Sequence, residues 1–304
     1  MKNMMFLGLL FGIMTAGGCK SQSQPSVQPS VPLHTYSGNE SEGVFSCKMG
    51  LFEVYMLVEA QRDGNTGILV GADEAVLKRY ILEEGFKHST NAFLVKMPGQ
   101  NILVDTGTGG GGVLLEKVKK LGIEPEQVDA VFITHLHGDH FGSLQKDGAA
   151  VFPKAKIYLS AKELEHFTKI NVNQGAVAAL APYSSQTVTF EPGEAGKELK
   201  EILPGITPIA AYGHTPGHTV YLIENGGAKF LIIGDLLHIA LVQFPVPEIS
   251  ATYDIDPVAA ASTRRQILDY AAKNKIPLGG MHIVYPGIGT VEADGEGFKL
   301  TPTK

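Results

Sequence analysis

Val131-Phe132-Ile133-Thr134-His135-Leu136-His137-Gly138-Asp139-His140 decides how the rest of this 304-residue chain is read. An apolar, β-branched run enters three histidines and an aspartate within six positions. Imidazole and carboxylate are the donors that Zn²⁺ and its first-row neighbours favour. In extended backbone His135 and His137 point the same way, because side chains repeat every two residues. Asp139 and His140 fall just beyond the strand, where a turn aims them at a second ion. The competing reading is an exposed polar loop or a structural metal site.

Working outward, three later positions add ligands at the ends of strands. His218 closes Gly213-His214-Thr215-Pro216-Gly217-His218, Asp235 ends a hairpin of 220–224 with 229–233, and His282 lies in a final strand predicted over 278–283. One tetrahedral catalytic zinc takes about three protein ligands plus water, so this larger set fits two ions better than one. Ions about 3.5–4 Å apart need a bridging group, and a carboxylate bridges where a neutral imidazole cannot. Between these positions the pattern predicts strands at 52–60, 91–96, 101–104, 130–134, 157–160, 187–190, 199–202 and 206–211. Helices are predicted at 75–84, 114–121, 161–168, 173–181 and 257–274. Strand, end-of-strand ligand and helix recur without a linker after residue 44, which implies one compact unit of two sheets faced by helices. The 71–90 segment reads as a lid or an oligomer contact, which leaves a homodimer open.

Other chemistries lack their signatures. The Gly-rich run 107–112 has no Gly-x-x-x-x-Gly-Lys-Ser/Thr pattern, so it is no phosphate cradle. Ser143 has no Gly-x-Ser-x-Gly context. The net charge of -6 and the lack of a basic, aromatic-interleaved patch exclude nucleic acid as the default partner. The start of the chain reads as processing sequence. Lys2 precedes a ten-residue apolar run from Met4 to Ile13, too short for a permanent span. Thr15-Ala16-Gly17-Gly18-Cys19 then resembles a bacterial lipoprotein cleavage site. Residues 1–18 are expected to be a signal peptide and 19–43, rich in Ser, Gln and Pro, a flexible tether. Residues 44–304 are expected to be the folded domain. The expected location is extracytoplasmic, lipid-anchored in the bacterial envelope, with membrane contact only through Cys19. Cys47 is then left without a disulfide partner and reads as a small buried hydrophobe.

His-x-His-x-Asp-His, the later Gly-His-Thr-Pro-Gly-His, the Gly234-Asp235 pair and the final His282 together resemble the metallo-β-lactamase-fold hydrolases, over roughly residues 45–304. The resemblance implies an α/β fold, a four-layer αβ/βα sandwich. It implies that His135, His137 and His218 bind one ion, that Asp139, His140 and His282 bind the other, and that Asp235 and a hydroxide bridge them. It leaves His214 to support its loop. It implies that Asp105 stands behind the ligands, hydrogen-bonded to His135 or His137, and that Asp139 orients the nucleophile or takes its proton. Two divalent ions are expected, zinc first, with manganese, iron or cobalt as alternatives. Gly234-Asp235-Leu236-Leu237-His238, Tyr253-Asp254, Thr263-Arg264-Arg265 and Gly280-Met281-His282 further resemble the branch of methyl parathion hydrolase and the quorum-quenching lactonases. Lactonases of that branch often carry tyrosine where this chain has His238, which is read as catalytic or structural. The expected substrate is a small lactone or activated ester. Organophosphate triesters, aryl esters, β-lactams and thioesters are the alternatives, and a non-catalytic metal-containing binding protein is the reading outside enzymology. Arg264 and Arg265, on the long helix, are expected at the surface.

Overall fold

The computed structural model describes Met1, residues 34–110 and residues 112–303. The expected leader, Cys19 and most of the tether lie outside the described residues. No helix among the described residues is long and apolar enough to cross a membrane.

The first sheet has eight strands in spatial order: β1 (Thr35–Asn39), β2 (Val44–Met49), β3 (Phe52–Asp63), β4 (Lys87–Met97), β5 (Gln100–Val104), β6 (Ala130–Phe132), β7 (Lys156–Ser160) and β8 (Thr187–Phe190). Neighbours are antiparallel up to β5 and parallel from β5 to β8. The second sheet has six: β9 (Ile206–Ala210), β10 (Thr219–Asn225), β11 (Ala228–Ile232), β12 (Leu278–Gly279), β13 (Ile288–Asp294) and β14 (Gly297–Pro302). There only β11 and β12 run parallel. The helices are α1 (Glu74–Tyr80), α2 (Leu114–Lys120), α3 (Gly138–Phe141), α4 (Ala161–Glu165), α5 (Gln174–Leu180), α6 (Ala240–Gln243) and α7 (Pro257–Asn274).

Alternation along the strands builds the layers. On β4, Leu94 faces the core shared with Leu114 and Val118 of α2 and Ala176 of α5. Its neighbours Phe93 and Val95 face the opposite core, against Tyr221 and Phe230 of the second sheet. On β11, Phe230 and Ile232 join that inter-sheet core, whereas Leu231 packs on Ile267, Leu268 and Ala271 of α7. The order helix, sheet, sheet, helix is the expected four-layer sandwich.

Several expectations change. The folded domain starts at residue 35 rather than 44. Tyr36 of β1 stacks on Phe45 of β2, and Ser37 and Ser46 join their hydroxyls at 2.9 Å. These contacts make the end of the expected tether an edge strand. Residues 199–202 form no strand; a single bridge between Leu203 and Ile206 stands there. The last predicted strand stops at Gly279, because the Asn91 amide takes the Gly280 and Ile283 carbonyls at 2.9 and 2.8 Å. His282 therefore sits in a turn. The hairpin of β13 and β14, which extends the second sheet, went unpredicted. Leu69–Val70 pairs with Ser250–Ala251 in a separate two-stranded sheet.

β5, β6, β9, β11 and β12 all end at one edge of the sandwich. Asp105, the 135–140 cluster, His214, Asp235 and His282 follow those five ends.

Candidate metal centre

The chain leaves β6 after Phe132 and bends at Thr134 and again at His137, and α3 then begins at Gly138. This brings His135 Nε2 to 3.1 Å from His137 Nδ1. His214 Nε2 completes a triangle, 3.2 Å from His135 Nε2 and 3.0 Å from His137 Nδ1. Three ring nitrogens facing one another cannot all be ordinary donor–acceptor pairs, since a neutral imidazole carries one N–H. Their spacing is close to the edge of a tetrahedron about a cation with metal–nitrogen bonds of about 2.0–2.1 Å. Asp139, His140 and His282 form a second group of potential ligands. The Asp235 carboxylate stands between the two groups. Its oxygens lie 3.7 Å from His135, 3.5 Å from His214, 3.3 Å from His140, 3.3 Å from His238 and 3.0 Å from His282, each measured to Nε2. His140 Nε2 and Asp235 Oδ1 are buried and have no hydrogen-bond partner among the described residues. A buried, unpartnered lone pair is costly, and a cation among these groups would satisfy both. The donor set therefore fits two divalent ions.

The far nitrogen of each ring fixes which one faces the centre. Asp105, in left-handed backbone at φ 61, accepts Thr134 N–H at 2.8 Å and Thr134 Oγ–H at 2.7 Å. It also accepts His140 Nδ1–H at 2.7 Å. Thr134 Oγ1 in turn lies 3.1 Å from His135 Nδ1, so it can accept that ring's proton. One carboxylate thus presents His140 directly and His135 through a hydroxyl. This corrects the expected partner of Asp105, which is His140 rather than His135 or His137. His282 Nδ1 donates to the Ser89 carbonyl at 2.8 Å, and His214 Nδ1 donates to Asp254 at 2.8 Å.

His218 is the second correction. Its Nδ1 donates to the Ala211 carbonyl at 3.0 Å, and its Nε2 accepts the backbone N–H of Asp235 at 3.0 Å. Both nitrogens are committed, and the ring braces the Asp235 backbone from behind. His214 holds the position expected for His218. Glycines set this loop against its neighbours. A Cβ on Gly213 (φ 125) would lie 2.1 Å from the Ala260 nitrogen, and one on Gly217 would lie 2.3 Å from the Glu163 nitrogen.

Electrostatics divide the two groups. Burial pushes the pKa of His135 well down and that of His137 down; it takes His214 to about 3 against the pull of Asp254. These rings are neutral at physiological pH and keep their lone pairs. Burial also opposes charge on His140, yet Asp235, Asp139 and Asp105 around it hold its pKa well above the usual range. His282 is raised likewise, by Asp235 and Asp139 against burial. Asp139 is partly desolvated, but His140 keeps it below the ordinary carboxylate range.

His238 belongs to the centre's wall. Its ring stacks on His282 with centroids 5.1 Å apart and planes at 20°. Its Nδ1 is buried and unpartnered among the described residues. A polar cavity of ≈ 740 Å³ opens onto Asp139, Asp235, His238 and His282, with Arg62 and Tyr253 on its lining. A neighbouring, mostly apolar cavity of ≈ 500 Å³ is lined by Tyr80, Phe86, Leu241 and Phe244 and shares His238 and His282.

Sequence reasoning missed Glu163, the contact of Asp254 with His214 and the buried state of Arg264. Arg264 is fully buried and donates to the carbonyls of Leu236, Pro247 and Ile249 at 2.6, 2.7 and 2.8 Å. It also stands 3.5 Å from Asp254, behind His214. Arg265 is at the surface, paired with Glu248 as expected. Asp254 entered the sequence reading only within the Tyr253-Asp254 resemblance, with no role attached to it. Ser160-Ala161-Lys162-Glu163 reads as a helix capping box, which disguises Glu163 as a helix-start residue. Ser160 makes no such cap.

Comparison with known proteins bears on the family and the fold. A family model described as the metallo-beta-lactamase superfamily matches residues 85–275. The structure of a hydrolase, AbOPH, of the beta-lactamase superfamily superposes with a TM-score of 0.76 at 30% identity, covering 86% of this chain and 98% of that one. AidC, a dizinc quorum-quenching lactonase in complex with a product, gives 0.75 at 25% identity and the same coverage. Bacillus subtilis (strain 168) YobT is 30% identical over 151 residues, 48% of this chain and 60% of that protein. The probable metallo-hydrolase YflN of the same strain is 24% identical over 161 residues, with the same two coverages. The chain thus matches about three-fifths of the length of these two curated relatives.

Proposed function

The chain belongs to the metallo-β-lactamase superfamily, and from that membership we propose that it is a metal-dependent hydrolase that opens lactones or cleaves related activated esters. The observation that carries the proposal is the Asp235 carboxylate set among ring nitrogens of both ligand groups. In this reading His135, His137 and His214 would hold one ion and Asp139, His140 and His282 the other, with the Asp235 carboxylate available to both. Zinc is the proposed metal, in line with the similar dizinc lactonase. Divalent ions bound there would lower the pKa of a shared water towards neutrality and polarise the oxygen of the bond to be cut.

The chain's own residues supply the rest. Asp139, with a side chain 33% exposed, is the ligand carboxylate open to the cavity, so it orients the attacking water and accepts its proton. Asp105 keeps the His140 lone pair turned inward throughout. His238 overlooks both cavities and positions the substrate's ester group. The polar cavity takes the ring or ester head. The apolar cavity beyond His238 and His282 takes a hydrocarbon arm, which favours lactones bearing an acyl chain.

A hydrolysis panel on metal-quantified protein tests this, with lactones of increasing tail length beside phosphotriesters, aryl esters and β-lactams. Lactones are expected to turn over fastest, with kcat/KM rising with tail length. Turnover of β-lactams alone, or none of any class by protein carrying two ions, would overturn the proposal.

A further inference from the structure

We propose that Glu163 is a positioning residue that sets the spacing of the His135, His137 and His214 rings; this rests on reading those rings as ligands of one ion. Glu163 lies in the first turn of α4 and is fully buried. Its Oε1 accepts the Leu136 N–H at 2.8 Å, in the peptide between His135 and His137. Its Oε2 accepts Thr215 Oγ–H at 2.7 Å and Gly217 N–H at 2.9 Å, both in the loop that carries His214. The first loop leaves the first sheet and the second leaves the second sheet. A single carboxylate therefore fastens one ligand loop from each sheet to the same helix start.

The donor pattern requires a carboxylate. All three partners donate, and they approach two different oxygens. A glutamine would have to turn its NH₂ towards either Leu136 N–H or the Thr215–Gly217 side. One loop would then face a donor instead of an acceptor, at a buried site where an unmet group is costly. Close packing removes slack, since α4 backbone sits where a Gly217 Cβ would go. The three ring nitrogens stand 3.0–3.2 Å apart, and releasing either loop would widen that triangle. Glu163 itself contacts none of the rings by hydrogen bond.

The test is zinc titration of the metal-stripped protein against a chromophoric chelator, with cobalt absorption spectra as a second readout. Glu163→Gln and Thr215→Val are compared with wild type, and His214→Ala marks which equivalent belongs to the triangle. Glu163→Gln is expected to weaken that equivalent about 10–100-fold, the range for groups that orient metal ligands. The other equivalent should hold within about twofold, and the cobalt spectrum of the triangle site should shift. Thr215→Val should weaken the same equivalent by less, and it carries the test alone if Glu163→Gln does not fold. Unchanged affinities in the folded variants, or equal weakening of both equivalents, would overturn the role of Glu163 and leave the metal centre standing. Wild-type protein that binds no zinc would overturn both.

Discussion

His214 and His218 are four positions apart in one motif, and their surroundings give them opposite tasks. His214 donates one nitrogen to Asp254 and turns the other to the centre, whereas His218 spends both on backbone. His214→Ala should therefore cost one of two bound metal equivalents and the activity that depends on it. His218→Asn should retain both equivalents but lower stability by about 1–3 kcal/mol, the usual cost of stranding buried polar partners. Metal analysis and denaturant unfolding of the two variants check this; metal loss in His218→Asn with none in His214→Ala would reverse the assignment. The first motif was legible at this scale because its ligands are consecutive. The choice between the two later histidines was not, because it depends on Asp254, forty residues further on.

Helix α7 was legible from alanines and leucine/isoleucine at helical spacing over 257–274, and in the structure the Asp256 side chain caps it by accepting the Ala259 N–H at 3.0 Å. Which arginine it buries was not. Arginine is seldom fully buried, and its burial here follows from the 236–254 segment folding its carbonyls across the helix. Arg264→Met would leave those carbonyls and Asp254 without their donor. The expected loss is about 3–5 kcal/mol, as for breaking other buried charge networks. His214, which relies on Asp254, should lose metal affinity in the same variant. Equilibrium unfolding together with zinc titration checks both effects, and a change below about 1 kcal/mol, the usual worth of an exposed ion pair, would show that the network contributes little. The shortened β12 shows the same dependence. Its sequence reads as a strand through His282, and the distant Asn91 amide ends it early.

Across the whole molecule two sheets faced by helices were legible from the recurrence of strand, end-of-strand ligand and helix, and their four-layer order followed from the resemblance to the metallo-β-lactamase-fold hydrolases. The molecule's edges were less so. β1 looks like tether by composition, and its five cross-strand pairs with β2 together with the packing of Tyr36 on the inter-sheet core give it structure. A chain shortened to begin at residue 44 should fold but lose about 1–5 kcal/mol relative to one beginning at residue 34, taking each lost pair at roughly 0.2–1 kcal/mol. Coincident unfolding curves for the two chains would return residues 35–43 to the tether.

Both sheets send ligands to one edge, and this has a mechanical consequence. A cation shared by His135, His137 and His214, with Asp235 beside it, would work as a rivet through the stack: it would resist the sheets sliding past each other over the inter-sheet core around Phe93 and Phe230. The residues proposed to cut the substrate would then also be the ones that bear shear.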